Sequence, residues 1–223
     1  MEIAPIAYFR SPFRSKFGIP RQSGLVDDLL GEVCFVSPWD DADAVRGLAD
    51  FSHLWLIWGF SENVSAEKHA TVRPPRLGGN QRMGVFATRS PFRPNNLGLS
   101  CVRIERVEQG RIVVRGADLM DGTPIFDVKP YLPSADAFPD AKGGFTDAKQ
   151  WKSLTVEMSD DVRRELGDDA EAVVKTLSLD PRPHYHSDPE RIYGMPFGEW
   201  DIRFQVVDGV LRVVDLRRKK GFI

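Results

Sequence analysis

Cysteine is nearly missing: the 223 residues hold only Cys34 and Cys101. A disulfide framework is thereby excluded, and a reducing compartment is the natural setting. Long apolar runs are missing too. The stretch HLWLIWGF at 53–60 opens with histidine and is too short to span a bilayer. The amino-terminal MEIAPIAYFR has no basic region followed by an apolar one, so no signal peptide is read. These absences predict a soluble, cytoplasmic protein with no membrane partner. There is no GxxxxGK(S/T) loop and no GxGxxG between a strand and a helix, which argues against P-loop and Rossmann nucleotide sites. Metal ligands are sparse. The histidines are His53, His69, His184 and His186, and neither cysteine has a CxxC partner. Only His184-x-His186 resembles a ligating pair, and no metal is expected. Both cysteines lie in apolar strand patterns, the usual setting of an inert thiol.

What is present is globular: 42% apolar and 28% charged residues rule out a disordered chain or a coiled coil. The length suits one main domain plus an appendage. The net charge of −2 conceals an uneven distribution. Arginines 73, 76, 82, 89 and 93 fall in a stretch with no acidic residue. From Leu211 onward Arg212, Arg217, Arg218, Lys219 and Lys220 face only Asp215, while residues 157–171 hold seven acids and two arginines. Such asymmetry concerns surfaces and partners rather than fold.

Strand signals dominate the first 135 or so residues. Strands are expected at 3–9, 32–36, 54–60, 83–87, 99–107, 111–115 and 125–132, with a short helix over 40–48. Residues 54–60 lack polar alternation and read as a strand buried on both faces or a core segment. Gln109-Gly110 makes a hairpin turn, because glycine supplies positive φ. Residues 134–150 are small and polar, a linker pattern. Helices are expected over 159–166, with Ser159 as N-cap, and over 168–179. A hairpin follows at 201–207 and 210–216 around Asp208-Gly209. The expected fold is mainly β: an N-terminal β-barrel domain of residues 1–137 and a smaller α+β domain of residues 138–223.

The stretch TVRPPRLGGNQRMGVFATRSPFRPNNLGLS, 71–100, carries the most information. Proline and glycine constrain its backbone and let it approach a ligand closely. Its arginines suit carboxylates and phosphates in fork geometry. Arg73, Arg76 and Arg93 are the candidates for nucleic-acid phosphates. Phe92 is the candidate for stacking a base, whereas Phe86 falls inside an expected strand and is assigned to the core.

Five blocks resemble the TsaA-like family, whose members include tRNA N6-threonylcarbamoyladenosine methyltransferases. They are KFGIPRQSGL (16–25), ADAVRGLADFSHLWLIWGF (42–60), the arginine stretch (71–100), DLMDGTPIFDVKPYLP (118–133) and DPRP-x-Y (180–185). The resemblance implies a β-barrel that binds S-adenosylmethionine without a Rossmann domain, a homodimer, and a tRNA substrate methylated on the modified adenosine beside the anticodon. It places the donor near Ser23, Gly24 and Leu25, joined by Arg21 and Gln22. Ser61, Glu62, Arg89, Leu99 and the turn Asp121, Gly122, Thr123, Pro124 complete that set. In this reading Arg89 takes the methionine carboxylate, Glu62 the ribose or amino group, and the Gly122-Thr123 backbone the adenine edge. Asp127 and Tyr131 are proton acceptors or relays, and Arg182 touches RNA or docks the small domain. Two positions depart from the family pattern: Ser61 stands where histidine is usual, and Asn96 where a second proline is common and would stiffen the turn. A non-catalytic binding module and a small-molecule methyltransferase of the same fold are the alternatives. A small acceptor has no need of five arginines, so RNA is favoured.

Overall fold

The computed structural model describes residues 2–63, 69–74, 81–147, 153–183 and 188–219. Strands β1 (Ala7–Arg10), β2 (Leu30–Phe35), β3 (His53–Gly59), β6 (Leu97–Glu108), β7 (Arg111–Arg115) and β8 (Pro124–Pro130) close into a barrel in the order β1-β2-β7-β6-β3-β8. Every neighbouring pair is antiparallel. The pair β4 (Thr71–Val72) and β5 (Met83–Gly84) forms a separate two-stranded ribbon.

The pleat explains the barrel. In β3, Leu54, Leu56 and Trp58 point inward and are buried, while His53, Trp55 and Ile57 face outward and are half-buried. The lack of polar alternation therefore reflects an outer face covered by protein, not a strand buried on both sides. The Trp55 indole donates to Asp136 at 3.1 Å, from the short helix α1 (Pro133–Asp136), and its ring meets Tyr131 at a tilt, 5.8 Å between centroids. Inward-facing Phe9, Val33, Val102, Ile112, Val114 and Ile125 complete the core. Gly98 is required by this packing, because a Cβ there would strike the Trp58 indole.

Several boundaries differ from expectation for local reasons. The first strand begins after Pro5, which has no N–H to donate. Residues 40–48 form two 3-10 turns, Ala42–Val45 and Leu48–Asp50, interrupted by Gly47 at φ 82°. The expected strand 83–87 ends at Gly84 and continues as a 3-10 turn, Val85–Ala87.

The second unit is a four-stranded sheet in the order β10-β11-β12-β9: β10 (Tyr193–Phe197), β11 (Trp200–Val207), β12 (Val210–Arg218) and β9 (Thr155–Glu157). It packs with α2 (Asp160–Leu166), capped by Ser159, and α3 (Ala170–Ser178). Asp208 and Gly209 both have positive φ, the geometry a two-residue hairpin turn needs. Residues from before position 137 enter this core. Phe13, Val26 and Leu29 pack among Val173, Leu177, Met195 and Phe204. The Phe13 ring meets Phe197 edge-on at 5.4 Å, and Gly198 N–H donates to the Pro12 carbonyl at 2.8 Å. The segment between β1 and β2 thus belongs to both units.

Candidate active site

One rim of the barrel gathers the end of β1, the start of β2, the end of β3, the start of β6, the end of β7 and the start of β8. Three connections therefore open onto it: residues 11–29, 116–123 and, among the described residues of the β3–β6 connection, 60–63 and 85–96. Ligand sites favour such rims, where loops vary on a rigid frame.

The first connection carries Arg21, Gln22, Ser23, Gly24 and Leu25. Gly24 adopts φ 78°, and its N–H donates to the Gly116 carbonyl at 2.8 Å, which ties the loop to the end of β7. Arg21 reaches sideways and donates to the Asp180 carbonyl at 3.4 Å; burial lowers its pKa. Gln22 accepts from the Arg89 guanidinium at 2.6 Å. Ser61 and Glu62 are exposed on the 3-10 turn that ends β3, and the Glu62 carbonyl accepts from Lys16 Nζ at 3.0 Å.

Below this loop lies a polar network inside the barrel. The Trp58 indole N–H donates to Ser100 Oγ at 2.9 Å, and Ser100 Oγ donates to Asp118 Oδ1 at 2.5 Å. Burial raises the Asp118 pKa, opposed by the Ser100 hydrogen bond and by the nearby charge of Arg89.

The Asp121–Pro124 turn is fastened to β1. Asp121 Oδ1 accepts from the Ser11 N–H at 3.0 Å, Gly122 N–H donates to the Phe9 carbonyl at 2.8 Å, and Thr123 N–H to the Met120 carbonyl at 3.2 Å. With both central N–H groups engaged, the turn backbone is not arranged to donate to an adenine edge as expected.

Other expected residues lie elsewhere in the chain. Leu99 points out of the wall opposite to Ser100 and lines an outer groove with Ile57, Phe86 and Arg93. Asp127 pairs across from Ile57 in the strand register and forms an ion pair with Lys129 at 3.1 Å. Tyr131 lies at the far rim, seven residues beyond Pro124, or roughly 23 Å at the rise of a strand. It contacts His53 and Trp55 there. Neither Asp127 nor Tyr131 joins the Gln22–Arg89–Asp118 cluster in a single chain.

The arginine stretch is divided. Arg73 and Arg82 are exposed and make no ion pair among the described residues. Arg93 instead donates to the carbonyls of Thr88, at 2.6 Å, and Val85, at 3.3 Å, and so braces the loop that carries Arg89. Arg182 is clasped by Asp180 through two bonds of 2.8 and 2.9 Å, with its side chain only 16% exposed, so docking describes it better than RNA contact. Phe92 is exposed as expected. Phe86 reverses its assignment: it is 78% exposed, because its segment is a 3-10 turn at the rim and not a core strand. Arg76, His184, Tyr185, His186 and Lys220 lie outside the described residues.

Comparison with known proteins gives this rim a context. Residues 8–137 match the model of the tRNA-methyltransferase O N-terminal domain, and residues 151–219 the model of its C-terminal domain. The chain belongs to the tRNA-methyltransferase O family. It is 39% identical over 224 residues to the tRNA (adenine(37)-N6)-methyltransferase of Escherichia coli, covering 95% of each chain. A crystal structure of TrmO from Pseudomonas aeruginosa superposes with a TM-score of 0.82 at 34% identity, covering 97% of this chain and 98% of that one. An S-adenosyl-L-methionine-binding protein of Archaeoglobus fulgidus is 34% identical over 143 residues, which are 64% of this chain and 98% of that protein.

Within the TrmO frame two residues gain importance that sequence reading did not give them. Asp118 looked like an ordinary residue ahead of an Asp-Gly turn, and only the fold brings Ser100 to it. Asn96 was read as loosening a rigid turn. In the structure it takes φ 48°, a left-handed conformation closed to proline, and its carbonyl accepts from Phe60 N–H at 2.9 Å. Asparagine at this position builds a different turn rather than a looser one.

Proposed function

We propose that this protein transfers a methyl group from S-adenosylmethionine to N6 of the threonylcarbamoyl-modified adenosine next to the anticodon of tRNA. The observation that carries the reading is the pairing of an intact TrmO barrel with a rim whose Arg89 is held by a neutral glutamine instead of an acid. A guanidinium whose hydrogen-bond partner is an amide oxygen rather than a carboxylate suits the carboxylate of the donor's methionine end. The donor supplies an activated methyl on sulfonium sulfur, so that positioning for in-line displacement does most of the catalytic work. The loop Gln22–Leu25 bounds the donor on one side, the Asp121–Pro124 turn on another, and Ser61 with Glu62 at the end of β3. As the N6–CH3 bond forms and the S–CH3 bond breaks, N6 gives up its proton. A group that accepts it must stand at the rim where RNA enters.

Arg73 and Arg82 offer phosphate contacts, and Phe86 and Phe92 offer aromatic faces to splayed bases. Asp127 and Leu99 share the outer wall. They enter the reaction only if the RNA or a second copy of the chain covers that wall, which makes a homodimer part of this proposal. The cytoplasm, where tRNA and a reducing milieu coincide, is the proposed setting.

Nucleoside mass spectrometry of tRNA from a strain lacking the protein tests the activity. Methylated threonylcarbamoyladenosine should vanish and return with the wild-type gene but not with Arg89→Ala. Unchanged methylation would eliminate the reading in favour of a non-catalytic module or a small-molecule acceptor. Light scattering of the purified protein checks the dimer.

A further inference from the structure

Just past α3 the chain holds a backbone conformation that needs a reason. Asp180 takes φ 53°, in the left-handed region, and stands immediately before Pro181. A residue with a side chain rarely enters that region, and a following proline restricts its backbone further. Such a conformation persists only where the surroundings over-determine it. They do so here. The Asp180 N–H donates to the Leu177 carbonyl at 3.1 Å. Its carboxylate accepts from the Arg182 guanidinium through bonds of 2.8 and 2.9 Å, and from the Arg182 N–H at 3.3 Å. Held in this way, the Asp180 carbonyl accepts from Arg21 Nη2 at 3.4 Å, across 159 positions of the chain.

From Arg21 the bonds continue to the barrel rim. The Gln22 amide nitrogen donates to the Arg21 carbonyl at 2.5 Å, and the Gln22 amide oxygen accepts from Arg89 Nη1 at 2.6 Å. The amide cannot turn over without losing both bonds, because one partner only accepts and the other only donates. A connected run, Arg182–Asp180–Arg21–Gln22–Arg89, therefore joins the carboxy-terminal unit to the rim. On one side of Arg21, Phe13, Phe17 and Ile19 pack into the second core, and on the other side Val26 and Leu29 do. Between these anchored flanks the polar run fixes what packing does not. We propose that Asp180 is a positioning residue for the donor loop: its carboxylate, closed on Arg182, aims its carbonyl at Arg21, and the run through Gln22 sets the direction of Arg89. The inference rests on the donor reading above and adds to it a contribution of the carboxy-terminal unit, made through the loop and not by contact with donor or RNA. At 3.4 Å the bond from Arg21 is the longest step, so it is the first to break when the Asp180 backbone shifts.

Calorimetry on the full chain with S-adenosylhomocysteine, in the absence of RNA, tests this. Asp180→Ala should weaken binding roughly three- to thirtyfold, within the range for residues coupled in one network. Arg21→Ala should weaken it by a similar factor. The double variant should bind no worse than the weaker single one, because both changes cut the same run. In methyl-transfer assays at saturating donor, Asp180→Ala should leave the KM for tRNA at the wild-type value. Fully additive losses in the double variant would make Asp180 a structural residue unconnected to Arg21 and overturn the proposal. A raised KM for tRNA with intact S-adenosylhomocysteine affinity would place Asp180 and Arg182 on the RNA and overturn it too. Should Asp180→Ala not fold, Arg182→Lys carries the test, since it keeps the charge and loses the two-bond fork. It should weaken S-adenosylhomocysteine in the same direction, and unchanged affinity would again overturn the positioning role. If wild type itself bound no S-adenosylhomocysteine, the donor reading would fall and the proposal with it, whereas tight binding by wild type and variants alike removes only the role of Asp180.

Discussion

The barrel wall and the carboxy-terminal sheet pair their arginines with acids, as Arg111 with Glu32 and Arg115 with Glu105 show, but the loops at the barrel rim treat arginine differently. In the second unit Arg212 pairs with Glu157 at 2.6 Å, Arg217 with Asp215 at 2.6 Å and Arg218 with Glu199 at 2.7 Å. These cations belong to the sheet surface and are locally neutralised. At the barrel rim, Arg73 and Arg82 extend outward without ion pairs among the described residues, and Arg89 is held by an amide. A count of basic residues therefore misleads: what leaves a surface able to bind anions is arginines not already engaged in ion pairs, not the number of arginines.

The largest effect is expected where the two units share material. Phe197→Ala removes a buried ring that packs edge-on against Phe13. It should cost about 3–5 kcal/mol in urea unfolding. Because Phe13 opens the segment that also carries Ser23, affinity for S-adenosylhomocysteine should fall with it. Undiminished donor affinity would show that the barrel positions its loop alone. Next in size, Phe86→Ala should lower tRNA affinity roughly 5- to 150-fold, the range for one base–aromatic stack, with an unchanged melting temperature.

The charge comparison itself is tested by two double variants. Arg73→Ala with Arg82→Ala should reduce the salt dependence of tRNA binding by up to about two contacts' worth of slope. Arg212→Ala with Arg217→Ala should change neither slope nor affinity, and exposed pairs of this kind contribute at most about 1 kcal/mol each to stability. Equal losses in both would erase the distinction drawn here. Arg93→Ala should behave differently again. By releasing the Thr88 and Val85 carbonyls it should lower donor affinity as well as RNA affinity.

The smallest effect concerns pH. Burial raises the Asp118 pKa above the ordinary carboxylate value, so the folded state holds this proton more tightly than the unfolded state does. Stability is then lost as pH rises through the window between the unfolded and folded values, and the loss persists above it. Asp118→Asn should accordingly melt at a slightly higher temperature than wild type at neutral pH, with the difference gone below the carboxylate range. Thermal melts at two pH values decide it. A variant less stable at neutral pH would mean that the hydrogen bonds outweigh the burial.

Much of the barrel could be read from period-two alternation in β6, from the apolar run of β7 and from the glycine turn between them. The β11–β12 hairpin was equally clear, since Asp208-Gly209 fixes its register. Strand β10 escaped because Gly194 and Pro196 argue against a strand, and it occupies the sheet edge where such residues are tolerated. Strand β9 has three residues, too few for any period. At the site, the arginine stretch was visible through its composition, whereas the donor-loop residues came from the family resemblance alone. Asp118 was not, because its meaning lies in Ser100, 18 residues away, and in Trp58, a further 42 residues from Ser100. Phe86 was misplaced because apolar neighbours suggest a core until the chain is seen to turn at the rim.

The segment from Pro12 to Leu29 has a practical consequence for anyone recombining these proteins. Its phenylalanines and aliphatics are swallowed by the carboxy-terminal sheet, while its tip roofs the barrel. A graft that exchanges only the tail would leave Phe13, Val26 and Leu29 facing a foreign surface. A workable chimera has to carry residues 11–29 along with 153–219, as though they were one inherited piece.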